Sequence, residues 1–375
     1  MKSKKTVTDE LRSSNPGDIN MPYKNIMADI IAQEIIDSGI KIPSLPSSAE
    51  HLMKMVQQPV DKIDIIELEK LVERDPVLFA QILNLANSPY YGTGIEITGL
   101  RTALMRIGLS ESIFALYMYL FKSALPPFPD LSGFSDKEFW EESWACAIAN
   151  RRLGDPRLLV ESLPGELYIS GLLQGIGKLI LAVYDPAAFN KCIAVARKTG
   201  TPLHEAEFKI FKTTGGLLAS KILASWHLPE KICAAVAYWP SPEFADPEYR
   251  EIAALTQFAC SIVRLSGLVE TCENTPGVST SSALADLSNT YLLKNGSSSF
   301  ASTGKQYKIV QEIVSLLENH FDLVNKEKSE NSPDKNRKEK NIKNEKKRSL
   351  KRETEKHHGF TENSDFFSWV RAFFK

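Results

Sequence analysis

This chain of 375 residues has few cysteines, no long apolar run and almost no net charge. The cysteines are only five, an odd number, and they are widely spaced within mostly apolar sequence (Cys146, Cys192, Cys233, Cys260 and Cys272). This spacing excludes a disulfide framework and a zinc knuckle, whose cysteines lie close together. We therefore expect buried thiols in a reducing compartment.

No apolar segment is predicted to cross a membrane. The polar leader at the N-terminus has basic residues but no apolar core, which excludes a secretory signal. The most apolar later segment, 170–184, is short and carries Lys178. We expect the protein to remain in the cytoplasm.

Charge is balanced overall but unevenly distributed. The 45 Lys and Arg residues face 46 Asp and Glu residues, so no global field favours nucleic acid. Residues 326–357, however, contain 13 basic and 7 acidic residues, which leaves the remainder of the chain acidic. This asymmetry predicts a basic linker with partners of its own and no packed core.

Strand-like alternation is almost absent, whereas apolar residues recur at helical spacing along most of the chain. Asp64 and Glu67 have the spacing of a capping box, and Asp75-Pro76 predicts that one helix ends and the next begins there. Further helices are expected near 137–153, 166–184, 186–199, 202–213, 217–226, 229–238, 248–265 and 307–323. The predicted fold class is all-α.

The last eleven residues differ from the basic linker before them. A helix over 365–375 would place five apolar side chains on one face, at i, i+3, i+4, i+7 and i+8: Phe366, Trp369, Val370, Phe373 and Phe374. Such a face can fold back onto the globular domain, dock on a partner, or lie on an anionic membrane surface as a peripheral contact. The pattern leaves all three uses open.

Three stretches of the sequence carry a resemblance to a known family. Ile42-Pro-Ser-Leu-Pro46 and Leu85-Ala-Asn-Ser-Pro-Tyr-Tyr-Gly92 resemble the N-terminal signature of HDOD domains, the HD-related output domains of bacteria. Gly171-Leu-Leu-Gln-Gly-Ile-Gly-Lys-Leu179 resembles the family's Gly-Leu-Leu-His-Asp-Ile-Gly-Lys-Leu stretch with its His-Asp pair replaced. The resemblance covers about 41–267 and implies a helical bundle of two packed subdomains.

The resemblance also implies where catalytic relatives bind metal. Their first ligand position corresponds to Glu142, the His-Asp pair to Gln174 and Gly175, and later histidines to Gly215 and Tyr238. With Lys178 and Trp239 these residues form what we call the vestigial pocket. Glu142 alone is a good ligand, and a single carboxylate is not a metal site. Lys178 is expected to be solvated or to cap a helix, with anion binding as the alternative.

The signature loop contains Asn87, Tyr90, Tyr91 and Gly92, which we expect to lock the N-terminal helices together, a binding surface being the alternative. The chain also lacks a phosphate-binding glycine loop, a Gly-x-Ser-x-Gly elbow and a reactive-cysteine context.

The resemblance therefore predicts a non-catalytic signal-transduction module that binds signalling proteins as a scaffold or regulator, without cofactor or metal. The alternatives are a sensor of nucleotides or other small molecules in the vestigial pocket, and a divergent metal-dependent phosphohydrolase. The predicted organisation is a disordered leader (1–21), an N-terminal subdomain (22–124), an HD-like subdomain (135–268), a Ser-rich loop (269–305), a core helix (306–325), a disordered basic linker (326–364) and an aromatic amphipathic helix (365–375).

Overall fold

The computed structural model describes residues 21–40, 45, 47–56, 62–88, 91, 96–155, 160–269, 271–272, 290–292 and 308–318. Within these ranges the chain forms helices and no strand, and the nearest approach to strand pairing is an isolated bridge between Leu131 and Phe134. The prediction of an all-α fold is confirmed. The predicted leader, the predicted basic linker and the aromatic segment 365–375 lie outside the described residues, so these predictions are not tested.

Fourteen α-helices are assigned in the described part of the chain. They are α1 (Met21–Asp37), α2 (Ser47–Val56), α3 (Ile65–Glu73), α4 (Pro76–Ala86), α5 (Leu100–Ile107), α6 (Leu109–Ala124), α7 (Asp136–Leu153), α8 (Pro164–Leu173), α9 (Ile176–Tyr184), α10 (Pro186–Thr199), α11 (Leu203–Phe211), α12 (Gly215–Ser225), α13 (Glu230–Tyr238) and α14 (Arg250–Ser266). A 3-10 turn spans Pro242–Phe244, and residues 308–318 are also helical.

Side-chain caps explain several of the helix starts. The Asp64 carboxylate accepts the amide of Ile66 at 2.8 Å, and Asp75 accepts the amide of Val77 at 3.0 Å, ahead of α3 and α4. Asp185 caps α10 by accepting the Ala188 amide at 2.9 Å, directly before Pro186. These caps satisfy amide groups that have no partner inside the helix, and prolines suit the first turn.

One buried apolar cluster runs through the whole described structure, from Ala28 in α1 to Leu317 near the end of the last helix. At its centre α7 packs against α8, where a Cβ atom on Gly171 would lie 2.5 Å from the Cys146 carbonyl oxygen. Only glycine permits that approach of two backbones. Helix α1 packs mainly on α12, where Lys221 and Asp29 form an ion pair at 2.8 Å.

Helices α8 and α9 together form the 21-residue stretch Pro164–Tyr184, which has the length and apolar composition of a membrane span. The apolar segment identified from the sequence, 170–184, is shorter than this stretch. In the structure 89% of its most apolar window is buried inside the protein, as expected for a central helix of a globular core. The sequence-based helix 166–184 is in fact broken at Gln174 and Gly175.

All five cysteines are free and buried, which confirms the prediction of buried thiols. Burial raises the pKa of the Cys233 thiol to about 11 and that of Cys192 to about 12. Because the thiolate is the reactive form, a raised pKa lowers reactivity at every pH below it.

We predict that the native protein at pH 8 resists iodoacetamide, whereas the unfolded chain in guanidinium takes up five labels. At pH 8 a thiol of pKa about 11 is ionised in roughly one molecule in a thousand. Intact-mass spectrometry after short labelling measures this directly. Rapid modification of the native protein would show that one of the thiols is exposed.

Candidate functional site

A buried carboxylate lies at the centre of the vestigial pocket. Glu142 is in the middle of α7, between α8 and α14, and only 4% of its surface is exposed. Its helix begins at Ser135, whose hydroxyl accepts the amide of Glu138 at 3.2 Å. A carboxylate in such a place is strongly destabilising unless positive charge lies close to it.

Two cations approach the same oxygen of this carboxylate. Lys178 Nζ, from α9, lies 3.5 Å from Glu142 Oε1, and Arg264 Nε, from α14, lies 3.6 Å from it. The Arg264 guanidinium also lies over the Trp239 ring, 4.8 Å from its centroid. Three helices thus contribute one negative and two positive side chains, which we call the ion cluster, and its formal charge is positive.

The expectation that Lys178 is solvated or caps a helix is wrong, because the residue is only 6% exposed. The cause lies one residue earlier in the chain. A Cβ atom on Gly177 would lie 1.7 Å from the Gly215 carbonyl oxygen, so the first turn of α9 is pressed directly against the first turn of α12. This contact holds the start of α9 inside the bundle, and Glu142 neutralises the ammonium group that is carried in with it.

Gln174 and Gly175, where the resemblance places the His-Asp pair, form the break between α8 and α9. Gln174 is buried, and its Nε2 lies 4.0 Å from the Cys146 sulfur, a weak donor–acceptor contact. A Cβ atom on Gly175 would lie 3.2 Å from the Phe139 ring. Apolar and weakly polar atoms therefore surround both positions.

Gly215 starts α12 and lies against the same backbone as Lys178. Its amide donates to Glu207 Oε2 at 2.8 Å, and a Cβ atom there would lie 3.1 Å from the Lys178 amide nitrogen. Glu207, on α11, is 2% exposed. The second buried carboxylate near the pocket therefore binds a helix N-terminus, an arrangement that the helix dipole favours.

Tyr238 and Trp239 are neighbours in sequence but belong to different surroundings. Trp239 packs beneath Arg264, whereas Tyr238 lines a separate cleft that opens to the surface between α1, α11, α12, α13 and the 3-10 turn. Burial, followed by the charges of Asp29 and Asp246, raises the pKa of the Tyr238 hydroxyl. The structure thus brings together six of the seven pocket residues and places Tyr238 in the cleft.

The residues of the pocket do not fit a catalytic metal ion. In the part of the chain that is described, no group of three His, Cys, Asp or Glu side chains is placed to hold a metal. The remaining carboxylate, Glu142, already faces two cations, and a divalent ion beside them would be repelled.

Arg264 was not identified from the sequence, although a signal for it exists. Thr256, Cys260 and Arg264 follow one another at four-residue intervals along α14, and the first two are fully buried. Residues spaced by four share one face of a helix. An arginine continuing a buried face requires an anionic partner nearby, and the buried carboxylate is that partner.

Asn87 holds the two ends of the signature loop together. Its side-chain amide donates to the Ile97 carbonyl oxygen, and its side-chain oxygen accepts the Ile97 amide, both at 2.7 Å. Tyr91 is half-buried, and burial together with the Glu111 charge raises the pKa of its hydroxyl. These contacts are those of a structural loop; Tyr90 and Gly92 lie outside the described residues.

Comparison with known proteins identifies the family. The model of the HDOD domain family matches residues 42–242, more than half of the chain. The chain therefore belongs to the HDOD family, and the resemblance stated from the sequence is confirmed. The resemblance noted from the sequence extends to about residue 267, so its last part, after residue 242, lies beyond the matched region.

Solved structures share the fold at low sequence identity. An HDOD domain protein of unknown function from Geobacter sulfurreducens is 21% identical, with a TM-score of 0.58, and the match covers 78% of this chain and 97% of that one. A candidate phosphohydrolase from Shewanella amazonensis SB2B is 22% identical, with a TM-score of 0.52 and coverage of 76% and 97%. A candidate signal transduction protein from Marinobacter aquaeolei VT8 is 19% identical, with a TM-score of 0.54 and coverage of 81% and 69%.

One relative is similar in sequence over a long stretch. An uncharacterized protein of Treponema pallidum (strain Nichols) is 22% identical over 239 residues. The match covers 62% of this chain and 44% of the relative, so this chain spans less than half of that protein. Among these structures, this fold thus occurs in one protein named for signal transduction and in another named for phosphohydrolase activity. Because the fold is common to both, only the residues of the site bear on the function of this chain.

We predict that Glu142→Gln lowers the free energy of unfolding by about 3–5 kcal/mol, because it leaves two cations without their counter-ion inside the protein. Urea denaturation followed by circular dichroism measures the change. Glu69→Gln is the matched control, since it removes the carboxylate of the surface pair with Arg101 (2.6 Å), where solvent screens the charge. Equal, small effects of the two substitutions would contradict a structural role of the ion cluster.

Asn87→Ala should lower the free energy of unfolding by about 1–3 kcal/mol, because the Ile97 amide and carbonyl both lose their partner. Asn87→Asp retains the acceptor but turns a carboxylate oxygen toward the Ile97 carbonyl, so it should be no more stable than the alanine variant. Urea denaturation of the three proteins tests both statements. If Asn87→Ala instead unfolds like the wild type, the loop has a binding role.

Proposed function

We propose that this HDOD protein is a non-catalytic signal-transduction module, a scaffold or regulator that acts by binding other signalling proteins in the cytoplasm. The observation that carries the proposal is the ion cluster. Its single carboxylate, Glu142, already faces Lys178 at 3.5 Å and Arg264 at 3.6 Å. Replacement of the remaining ligand positions by Gln174, Gly175, Gly215 and Tyr238 supports the same conclusion.

The electrostatic argument concerns what hydrolysis requires. A metal ion lowers the pKa of bound water and neutralises developing charge on phosphate oxygens. Both roles need ligands that are anionic or neutral and free to bind the ion. Here the Glu142 carboxylate already faces the Lys178 ammonium group at 3.5 Å and the Arg264 guanidinium at 3.6 Å, and these positive charges disfavour a divalent cation beside it.

A second candidate function, sensing of a small anion or nucleotide without turnover, has one specific observation in its favour. Gln174 Oε1 and Ser143 Oγ are buried and have no hydrogen-bond partner among the described residues. Such groups lose the hydrogen bonds that they make in water, and a bound polar molecule would restore them. The positive formal charge of the ion cluster favours an anion over a cation.

The experiment uses the full-length protein purified from its native bacterium after growth with added manganese and iron. We expect less than one tenth of a metal ion per chain by plasma mass spectrometry, and no hydrolysis of cyclic dinucleotides or bis-p-nitrophenyl phosphate with Mn²⁺ present. A metal-containing HD phosphohydrolase, assayed in parallel, confirms that the assay detects turnover. Stoichiometric metal together with turnover would establish an enzyme and overturn the proposal.

The positive half of the test is a partner. Proteins cross-linked to the full-length chain in cells are identified, purified and titrated against it by calorimetry, and a one-to-one complex is expected. A chain ending at Leu323 serves as the matched control for binding through the C-terminal segment. If nucleotides raise the melting temperature without product formation, and no purified partner binds, the sensor is the correct function.

A further inference from the structure

The surface cleft is the feature that the proposed function leaves unexplained. It encloses about 540 Å³ between α1, α11, α12, α13 and the 3-10 turn, within the size range of pockets that bury ligands. Its lining is mainly apolar and includes Phe208, Leu217, Tyr238 and Phe244. Phe244 is 38% exposed at the edge of the cleft. Burial of this aromatic ring by a bound group would be favourable, because it removes apolar surface from water.

The surroundings of the cleft have a small acidic excess. Glu205, Lys209 and Glu243 line it, and the charges of Asp29 and Asp246 act on Tyr238. Lys209 lies 3.9 Å from Glu205 and Lys221 lies 2.8 Å from Asp29, so the excess comes from Glu243 and Asp246. His204 also lines the cleft and is half-buried. The cleft therefore suits an occupant that is apolar in the middle and cationic at its side.

We propose that the cleft is an intramolecular docking site for the C-terminal segment 365–375 of the same chain. The five apolar residues of this segment would lie on one helical face about 12 Å long, with Trp369 and Phe373 at its centre. With 3.6 residues per turn, Arg371 lies just beyond one edge of that face, whereas Lys375 lies on the opposite side of the helix. The aromatic side chains thus meet the apolar lining, and the long Arg371 side chain can reach the acidic rim.

The length of the chain permits this contact. The described part of the last helix reaches Glu318 and is held to α7 through the ion pair of Arg152 with Glu312 at 2.8 Å. Roughly 47 residues separate Glu318 from Asp365, and at about 3.3 Å per residue they can span about 155 Å. A domain of roughly 300 residues has a radius of gyration of about 19 Å, so the segment reaches every part of its surface.

Docking in cis has a regulatory consequence. While the segment occupies the cleft, neither its aromatic face nor the cleft is available to a partner, and a partner that binds one of them releases the other. This inference goes beyond the proposed function and does not depend on it, because its test needs neither a partner protein nor an enzymatic readout.

The test is disulfide trapping in the full-length protein. Phe244→Cys combined with Phe373→Cys places one thiol at the cleft and one on the segment, and the buried native cysteines do not compete. Met105→Cys with Phe373→Cys is the matched control, since Met105 is 72% exposed on α5 and does not line the cleft. Oxidised glutathione starts the exchange, and non-reducing gels with peptide mass spectrometry follow it.

We expect the intrachain disulfide of the cleft pair to form at least tenfold faster than that of the control pair. Adding Trp369→Ser should reduce the cleft rate to the control rate without changing the melting temperature of the folded domain. Equal rates for the two pairs would overturn the proposal. Interchain disulfides would assign the cleft to a second copy, and equal rates with sedimentation on phosphatidylserine vesicles would assign the segment to a membrane; both results also overturn it.

Discussion

The structure around the vestigial pocket depends on the neutralisation of one buried carboxylate. Lys178 and Arg264 reach the same oxygen of Glu142 from two other helices. The desolvation of three charges costs much of what their attraction contributes, so the cluster need not add to net stability. It does, however, restrict how α7, α9 and α14 can be arranged, since a displacement would separate the buried Glu142 and Lys178 from each other and from the partly buried Arg264. We regard the cluster as a constraint on geometry more than as a source of stability.

The second constraint is steric and cooperates with the first. Gly177 and Gly215 have no side chains, and their backbones meet so closely that a Cβ atom on Gly177 would overlap the opposite carbonyl. This contact fixes the first turns of α9 and α12, which places Lys178 inward and directs the Gly215 amide to Glu207. In the sequence, Gly215 is notable only because the resemblance implies a histidine at its position in catalytic relatives. In the structure it has a positive role, because its backbone forms the close contact with Gly177, and a Cβ atom on Gly215 would lie only 3.1 Å from the Lys178 amide nitrogen.

These two constraints also explain what could be predicted from the sequence. The start of α10 was predicted correctly because Asp185 and Pro186 are local signals of a helix N-terminus. The all-α class followed from the helical periodicity of apolar residues alone. The break between α8 and α9 was missed because apolar residues lie on both sides of Gln174 and Gly175, and both residues keep right-handed helical backbone angles. The burial of Lys178 was missed for the same reason: its counter-ion is 36 residues away. The family resemblance alone indicated which residues correspond to metal ligands in catalytic relatives, whereas the contact of Arg264 with Glu142 follows from the packing of α14 on α7.

The start of α12 links the two regions of interest. Thr214 caps this helix, its hydroxyl accepting the Leu217 amide at 3.3 Å, and it also lines the surface cleft. The next residue, Gly215, contacts the backbone of Lys178. The first turn of α12 therefore lies between the cleft and the ion cluster, and it is held by capping on one side and by backbone contact on the other.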